Sequence, residues 1–239
     1  MSGGTLWLIP TPLGDASPGL VLSSAVIEQA RSLRYFLAEE PKSARAFLKA
    51  IAHPGPISAL RIERLDLDTP AGELPALLQP LREGGDAGLV SEAGCPALAD
   101  PGAALVRLAH VEGVRVVPLA GPSSVVLALM ASGLETQRFA FCGYLPIKEP
   151  GRMHSIQALE RRSREVRETQ IFIETPYRND ALFAALLAAC RPDTWVCVAS
   201  ELTLPGESVH TRRVRDWRRS PPQLARRPSV FLLLSERTT

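Results

Sequence analysis

The sequence predicts an α/β protein of two domains, a first with a mostly parallel sheet and a second with a mixed sheet. Three observations carry that prediction. Short apolar runs alternate with helical patterns through the first half. β-rich segments crowd the second half. Between them, Leu119-Ala120-Gly121-Pro122-Ser123-Ser124 breaks the rhythm, so the domains are drawn as 1–118 and 119–239. At 239 residues and 46% hydrophobic content the chain can bury a sizeable core for each.

The elements follow in order. Thr5-Leu6-Trp7-Leu8-Ile9-Pro10 reads as the first strand and Thr11-Pro12-Leu13-Gly14-Asp15 as its turn. A helical pattern covers Ser23 to Ser32, with Ser23 or Ser24 as the N-cap. Leu33 to Ala38 is a second strand ending at Glu39-Glu40. Ser43 to Ala52 is a helix closed by His53-Pro54-Gly55. Leu74 to Glu83 is helical despite Pro75 and Pro80. Ala87 to Val90 is a buried strand, Ala103 to Ala109 a helix and Val114 to Pro118 a strand.

In the second half a small-residue helix runs from Ser123 to Ala131, with its N-terminus open to a ligand. Strands at Phe139 to Tyr144, Gln170 to Ile173, Trp195 to Ala199 and Ser229 to Leu234 follow. Helices at Met153 to Glu168 and Asn179 to Cys190 separate them. Arg212 to Pro228 shows no regular pattern.

Composition narrows the function. A formal net charge of +2 neither demands nor excludes nucleic acid. No apolar run approaches the roughly 20 residues that span a bilayer, and Met1-Ser2-Gly3-Gly4-Thr5 lacks a basic leader, so a cytoplasmic protein is expected. The four cysteines form no C-x-x-C pair and read as small buried hydrophobes. Histidines 53, 110, 154 and 210 have no metal-ligand spacing, so no metal is expected.

The strand-end loops carry the chemistry. Ser91-Glu92-Ala93-Gly94-Cys95-Pro96-Ala97-Leu98-Ala99-Asp100-Pro101-Gly102 is a polar loop between a strand and a helix. That is where open α/β sheets bind ligands. Its glycines permit close backbone approach, and Glu92 can accept from ribose hydroxyls or cap its own turn. Pro10 to Gly14, Glu39-Glu40, Ala120 to Ser124 and Glu174-Thr175-Pro176-Tyr177-Arg178 also follow apolar strands.

These pieces, with Ala131-Ser132-Gly133-Leu134 and Gly143-Tyr144-Leu145-Pro146, occur together between residue 5 and about 235. As a set the sequence resembles the tetrapyrrole methylase superfamily of S-adenosylmethionine-dependent methyltransferases. Within it the sequence is most similar to the branch that methylates a ribose 2′-hydroxyl of 16S ribosomal RNA. The resemblance implies a homodimer of two-domain subunits with the cofactor in a cleft between the domains. It places Pro12, Gly14, Ser91, Glu92, Ala93, Gly94, Pro122, Ser123 and Ser124 beside S-adenosylmethionine, and Ile173 and Glu174 beside its adenosine. The chain departs from the branch at Gly14-Asp15 (there Gly-Asn), Glu39-Glu40-Pro41-Lys42 (Glu-Asp-Thr-Arg), Glu92 (an aspartate) and Tyr177 (a histidine).

Methyl transfer from a sulfonium is an in-line displacement in which the protein supplies orientation and electrostatics. A hydroxyl acceptor calls for a base, and Glu40, Glu174 and Glu201 are candidates because each sits at or just past a strand end. Lys148, Arg152 and Arg178 are candidates for guiding an anionic substrate such as RNA. Arg212 to Arg227 holds seven arginines around Trp217. Either they meet phosphates while the indole stacks on a base, or the indole packs inward. Two other readings stay open: methylation of a tetrapyrrole or other small molecule, and a paralogue that binds cofactor or RNA without catalysis.

Overall fold

The computed structural model describes residues 3–236, so Met1 and Ser2, on which the reading of the N-terminus leans, lie outside the described residues. The chain divides between Ser123 and Ser124 into two compact units.

The first unit is built on β1 (Thr5–Ile9), β2 (Tyr35–Ala38), β3 (Arg61–Arg64), β4 (Ala87–Val90) and β5 (Arg115–Pro118). They form a five-stranded sheet of order β3-β2-β4-β1-β5 in which every pairing is parallel. The connections carry α1 (Pro18–Val21), α2 (Ser24–Ser32), α3 (Pro41–Ala50), α4 (Leu74–Arg82) and α5 (Ala103–Val111).

Two cores show which face each helix covers. Val26, Ala30, Ala44, Phe47 and Leu48 of α2 and α3 pack with Ile9, Phe36 and Val90. Leu74, Leu78, Leu105 and Ala109 of α4 and α5 pack with Leu6, Leu37 and Leu89. Connections running toward β3 therefore lie on one face and those running toward β5 on the other, as right-handed crossovers require. β1 and β4 are neighbours whose outgoing chains leave for opposite faces. Their carboxyl ends form the topological switch point at which such sheets bind ligands.

β3 was not anticipated. Arg-Ile-Glu-Arg is too polar to read as a strand, but it sits at the sheet edge, pairs with β2 alone, and keeps both arginines exposed. Ser23 is the cap of α2, its side chain accepting from the Val26 amide. α3 starts two residues before its expected first residue because Glu40 caps it and Pro41 occupies its first turn. Pro75 is accommodated the same way in α4, where the amide it lacks would have had no partner.

Leu119 to Ser123 stay with the first unit. The Leu119 amide donates to Leu8 O at 3.0 Å, and a Cβ on Gly121 would fall 2.3 Å from the Pro10 ring.

The second unit contains α6 (Ser124–Ser132), β6 (Phe139–Tyr144), α7 (Gly151–Val166), β7 (Thr169–Ile173), α8 (Asn179–Ala189), β8 (Trp195–Ser200), β9 (Ser208–Arg213), α9 (Val214–Trp217) and β10 (Ser229–Leu234). Its sheet has the order β6-β7-β10-β8-β9, with β6 and β7 parallel and the other pairs antiparallel. Phe172 and Phe231 stack at 6.0 Å and Phe183 meets Trp217 edge-on at 5.4 Å.

Part of the stretch from Arg212 to Pro228 is regular after all. Arg212 and Arg213 end β9, an edge strand in full register with β8, and α9 follows at once. Charged outward residues hid both. Trp217 is 2% exposed and donates to Val196 O at 2.9 Å, which removes it as a stacking surface for a base. Arg212 lies over the buried ring at 4.8 Å, while Arg213 and Arg215 both approach Asp193.

Of the cysteines, Cys190 and Cys197 are buried, and Cys95 and Cys142 are half-buried. Among the described residues no helix is long and apolar enough to cross a membrane.

Candidate functional site

In the first unit, four loops meet at the carboxyl edge of the sheet. Thr11 and Gly94 exchange backbone hydrogen bonds at 2.9 and 3.1 Å, joining the β1 and β4 loops across the switch point. The Thr11 hydroxyl donates to Ser91 O. Gly94 adopts φ +83°, and a Cβ there would lie 3.0 Å from Leu13 and 3.2 Å from Pro122 O, so the third loop closes on the same glycine. The Cys95 thiol reaches Pro122 O at 3.5 Å. From β2 and α3, Ser43 donates to Glu92 Oε1 at 3.2 Å. The Glu92 carboxylate thus bridges to α3 instead of capping its own turn.

This loop also carries backbone strain. Ala97 and Ala99 both hold positive φ, at 61° and 65°, and Gly102 follows at 125°. Alanine reaches that region at a cost that the surrounding structure must offset, and such residues cluster at ligand sites.

The edge is acidic. Glu39 and Asp100 both lie above their ordinary carboxylate pKa values. For Glu39 burial is the main cause, followed by the charges of Glu92, Asp100 and Asp66. For Asp100 burial again leads, the 2.5 Å hydrogen bond from Ser91 opposes it, and Glu92 adds to it. An edge of crowded, partly desolvated carboxylates welcomes a ligand that brings hydroxyl donors and a positive charge. S-adenosylmethionine has both, in its ribose and its sulfonium, so the residues present fit it.

Of the cofactor candidates here, Gly14, Glu92 and Ala93 are exposed, whereas Pro12, Ser91, Gly94 and Pro122 are buried and shape the loops. Ser123 ends the first unit and Ser124 opens the second, both half-buried. Reading by residue type passed over Asp100 and Glu39 as site groups. Asp100 stood inside the quoted loop, but only the fold brings it to Ser91.

The other candidates belong to the second unit, where β6, β7 and β8 point the same way and end on one edge. Ile173, half-buried, closes β7 there. Glu174 follows it, buried, and its Oε1 accepts from Arg178 at 2.9 and 2.6 Å and from the Thr175 amide at 2.7 Å. Burial alone would raise its pKa, but the bonds from Arg178 and Thr175 outweigh it and hold the carboxyl below its ordinary value. Glu201, just past β8, is bonded to Arg227 at 2.7 Å. Glu40, in the first unit, accepts from the Lys42 amide at 2.9 Å, with its side chain otherwise exposed. Lys148 is exposed; Arg152 turns its guanidinium back to the carbonyls of Pro146 and Ile147. Among the described residues no group of His, Cys, Asp and Glu is placed to hold a metal ion.

Comparison with known proteins identifies the family and agrees with the fold. Residues 23–217 match the family model described as "Tetrapyrrole (Corrin/Porphyrin) Methylases". The chain is 34% identical over 209 residues to "Ribosomal RNA small subunit methyltransferase I" of Escherichia coli O157:H7, covering 87% of this chain and 69% of that one. It is 30% identical to the protein of that name from Pseudomonas aeruginosa, covering 98% and 79%. In fold it resembles the methyltransferase CobJ, with a TM-score of 0.62 at 16% identity over 98% of this chain and 95% of that one. It also resembles the cobalt precorrin-4 methyltransferase CbiF, with a TM-score of 0.56 at 19% identity over 96% and 94%. The chain belongs to the tetrapyrrole (corrin/porphyrin) methylase family and is an S-adenosylmethionine-dependent methyltransferase.

Proposed function

We propose that this methyltransferase acts on ribosomal RNA of the small subunit, at a ribose 2′-hydroxyl. The observation that carries the reading is the 34% identity to a ribosomal RNA small subunit methyltransferase I over most of the chain. In this reading the carboxyl edge of the first sheet holds the cofactor. Gly14, Glu92 and Ala93 face it, and Pro12, Ser91, Gly94, Pro122, Ser123 and Ser124 shape its walls. Bound there, S-adenosylmethionine supplies an electrophilic methyl group. The chain's own residues orient the partners and take up a proton.

Among the three candidate bases, Glu174 and Glu201 are each engaged by an arginine. Glu174, whose pKa is held below its ordinary value, is a poor proton acceptor, and Glu201 has its Oε2 occupied by Arg227. Glu40 has no arginine partner among the described residues, which supports it as the base. Lys148 and Arg178 stand as the cations that meet the RNA, and Arg152 as the brace of the loop carrying Lys148. The same proposal includes a homodimer, the state the family resemblance implies, and action in the cytoplasm.

The deciding experiment supplies labelled S-adenosylmethionine with free 16S ribosomal RNA, 30S subunits and a tetrapyrrole acceptor. Label on the RNA at a 2′-oxygen is expected. Label on the tetrapyrrole alone would overturn the substrate, and cofactor binding without transfer to any acceptor would overturn catalysis.

A further inference from the structure

The carboxyl edge of the second sheet exposes two aromatic rings. Tyr177 is 74% exposed and Tyr144 is 58% exposed. A tyrosine ring buried in a core contributes substantially to stability, and Tyr177 at 74% exposure forgoes most of that gain.

Local structure puts both of them there. On β6, Phe141 pairs with Ile171 but Tyr144 pairs with Ile173, so three residues span what two span on β7. The extra residue is a bulge with Gly143 at φ +64°. Side chains alternate between sheet faces, so one inserted residue changes the face from which Tyr144 emerges. Bulges at sheet edges commonly re-aim a side chain in this way.

Tyr177 sits in the 3-10 turn Pro176–Arg178 directly after β7. That turn is tied down by the Arg226 amide, which donates to Pro176 O at 3.1 Å. The Arg178 guanidinium carbon lies 5.2 Å from the Tyr177 ring centroid, and its Nη1 reaches the phenol oxygen at 3.4 Å. Arg178 is itself fixed by two bonds to Glu174. Tyr144 ends β6 paired with Ile173, the last residue of β7 before Glu174, so its backbone lies beside the strand end from which the Tyr177 turn departs.

The edge therefore offers aromatic rings and a planar cation, fixed before any ligand arrives. Unpaired bases stack on such surfaces, because every base has a π-face. We propose that Tyr177, with Tyr144 and the Arg178 guanidinium, forms a platform on which an unpaired base of the RNA substrate stacks. Glu174 is then a positioning residue that fixes the platform's cation. The inference rests on the RNA reading above and adds to it how the nucleotide is gripped.

The test compares wild type with Tyr177→Ala, Tyr177→Leu, Tyr177→Phe and Tyr177→Trp. It measures KM and kcat for 16S ribosomal RNA and 30S subunits, and Kd for S-adenosylmethionine by calorimetry. The alanine and leucine variants are expected to raise KM for RNA about tenfold, with cofactor Kd unchanged. The phenylalanine and tryptophan variants are expected to restore it. If alanine does not fold, leucine gives the same reading, since the site is exposed.

A wild-type KM in the alanine and leucine variants would overturn the platform, as would failure of phenylalanine and tryptophan to rescue. A loss confined to cofactor Kd would also overturn it, by assigning the ring to the cofactor's adenine. In each of these cases wild type still methylates RNA, so the substrate reading stands. If wild type methylates no RNA, that reading falls first and takes the platform with it.

Discussion

Two nitrogens of Arg178, Nε and Nη2, close on one carboxylate oxygen of Glu174, at 2.9 and 2.6 Å. The acid's side chain is 3% exposed and the base's is 26% exposed. This pair joins the last residues of a buried strand to the first turn beyond it. A carboxylate that a list of candidate bases would include is thereby committed to holding a cation.

The pair sets a pH dependence. The folded pKa of Glu174 lies below its ordinary value of 4.5. Its contribution to stability is therefore complete above that value and is lost as pH falls through the folded pKa. Glu174→Gln should lower the urea midpoint at pH 7, and the gap to wild type should close toward pH 3. A gap that stays constant over that range would mean that ionisation of Glu174 plays no part.

The acidic edge of the first unit predicts the opposite sign. Glu39 and Asp100 have raised pKa values, mainly through burial, with neighbouring carboxylates adding to it. Their contribution to the stability of the free protein is complete below the ordinary values of 4.5 and 3.8 and is lost as pH rises through the folded ones. Affinity for S-adenosylmethionine should move the other way. It should weaken by up to about tenfold per pH unit as these groups protonate. Calorimetry between pH 4.5 and about 7, with S-adenosylhomocysteine as the control that lacks only the sulfonium charge, checks this; equal pH slopes for both ligands would refute a role for the sulfonium charge.

Gly94 tests the junction of the β1, β4 and β5 loops. A side chain there must adopt φ +83° and press on Leu13 and on Pro122 O. Gly94→Ala should cost about 1–3 kcal/mol of stability and weaken cofactor binding. Gly94→Val should do more on both counts, since a β-branched residue tolerates positive φ least. Thermal melts and calorimetry on the same samples measure both, and unchanged cofactor affinity in a folded valine variant would remove this loop from the site.

Glu40→Gln separates the base from the helix cap. A glutamine oxygen can still accept from the Lys42 amide but cannot take a proton. kcat should fall about 10²–10⁴-fold, with cofactor Kd and melting temperature close to wild type. A kcat within a few-fold of wild type would exclude Glu40 as the base.

Most of the helices and apolar strands could be read from the sequence, because buried parallel strands such as Ala87–Val90 announce themselves as short apolar runs. The edge strands β3 and β9 could not, since they are polar and each pairs on one side only. The ligand loops were legible as glycine- and proline-rich strand ends. Their individual roles were not: Ser91, Glu92 and Gly94 stand within four positions, and one binds Asp100, one bridges to α3 and one packs under Pro122.

Sequence alone determined the alternation of strand and helix, the place of each ligand loop at a strand end, and the family resemblance. All three depend on residue types and order along the chain. Tertiary structure decided that Trp217 is core, that Glu174 belongs to Arg178, and that Glu39 and Asp100 share one electrostatic neighbourhood. Burial, ion pairing and pKa depend on what surrounds a group in space, and those surroundings come from segments far apart in the chain.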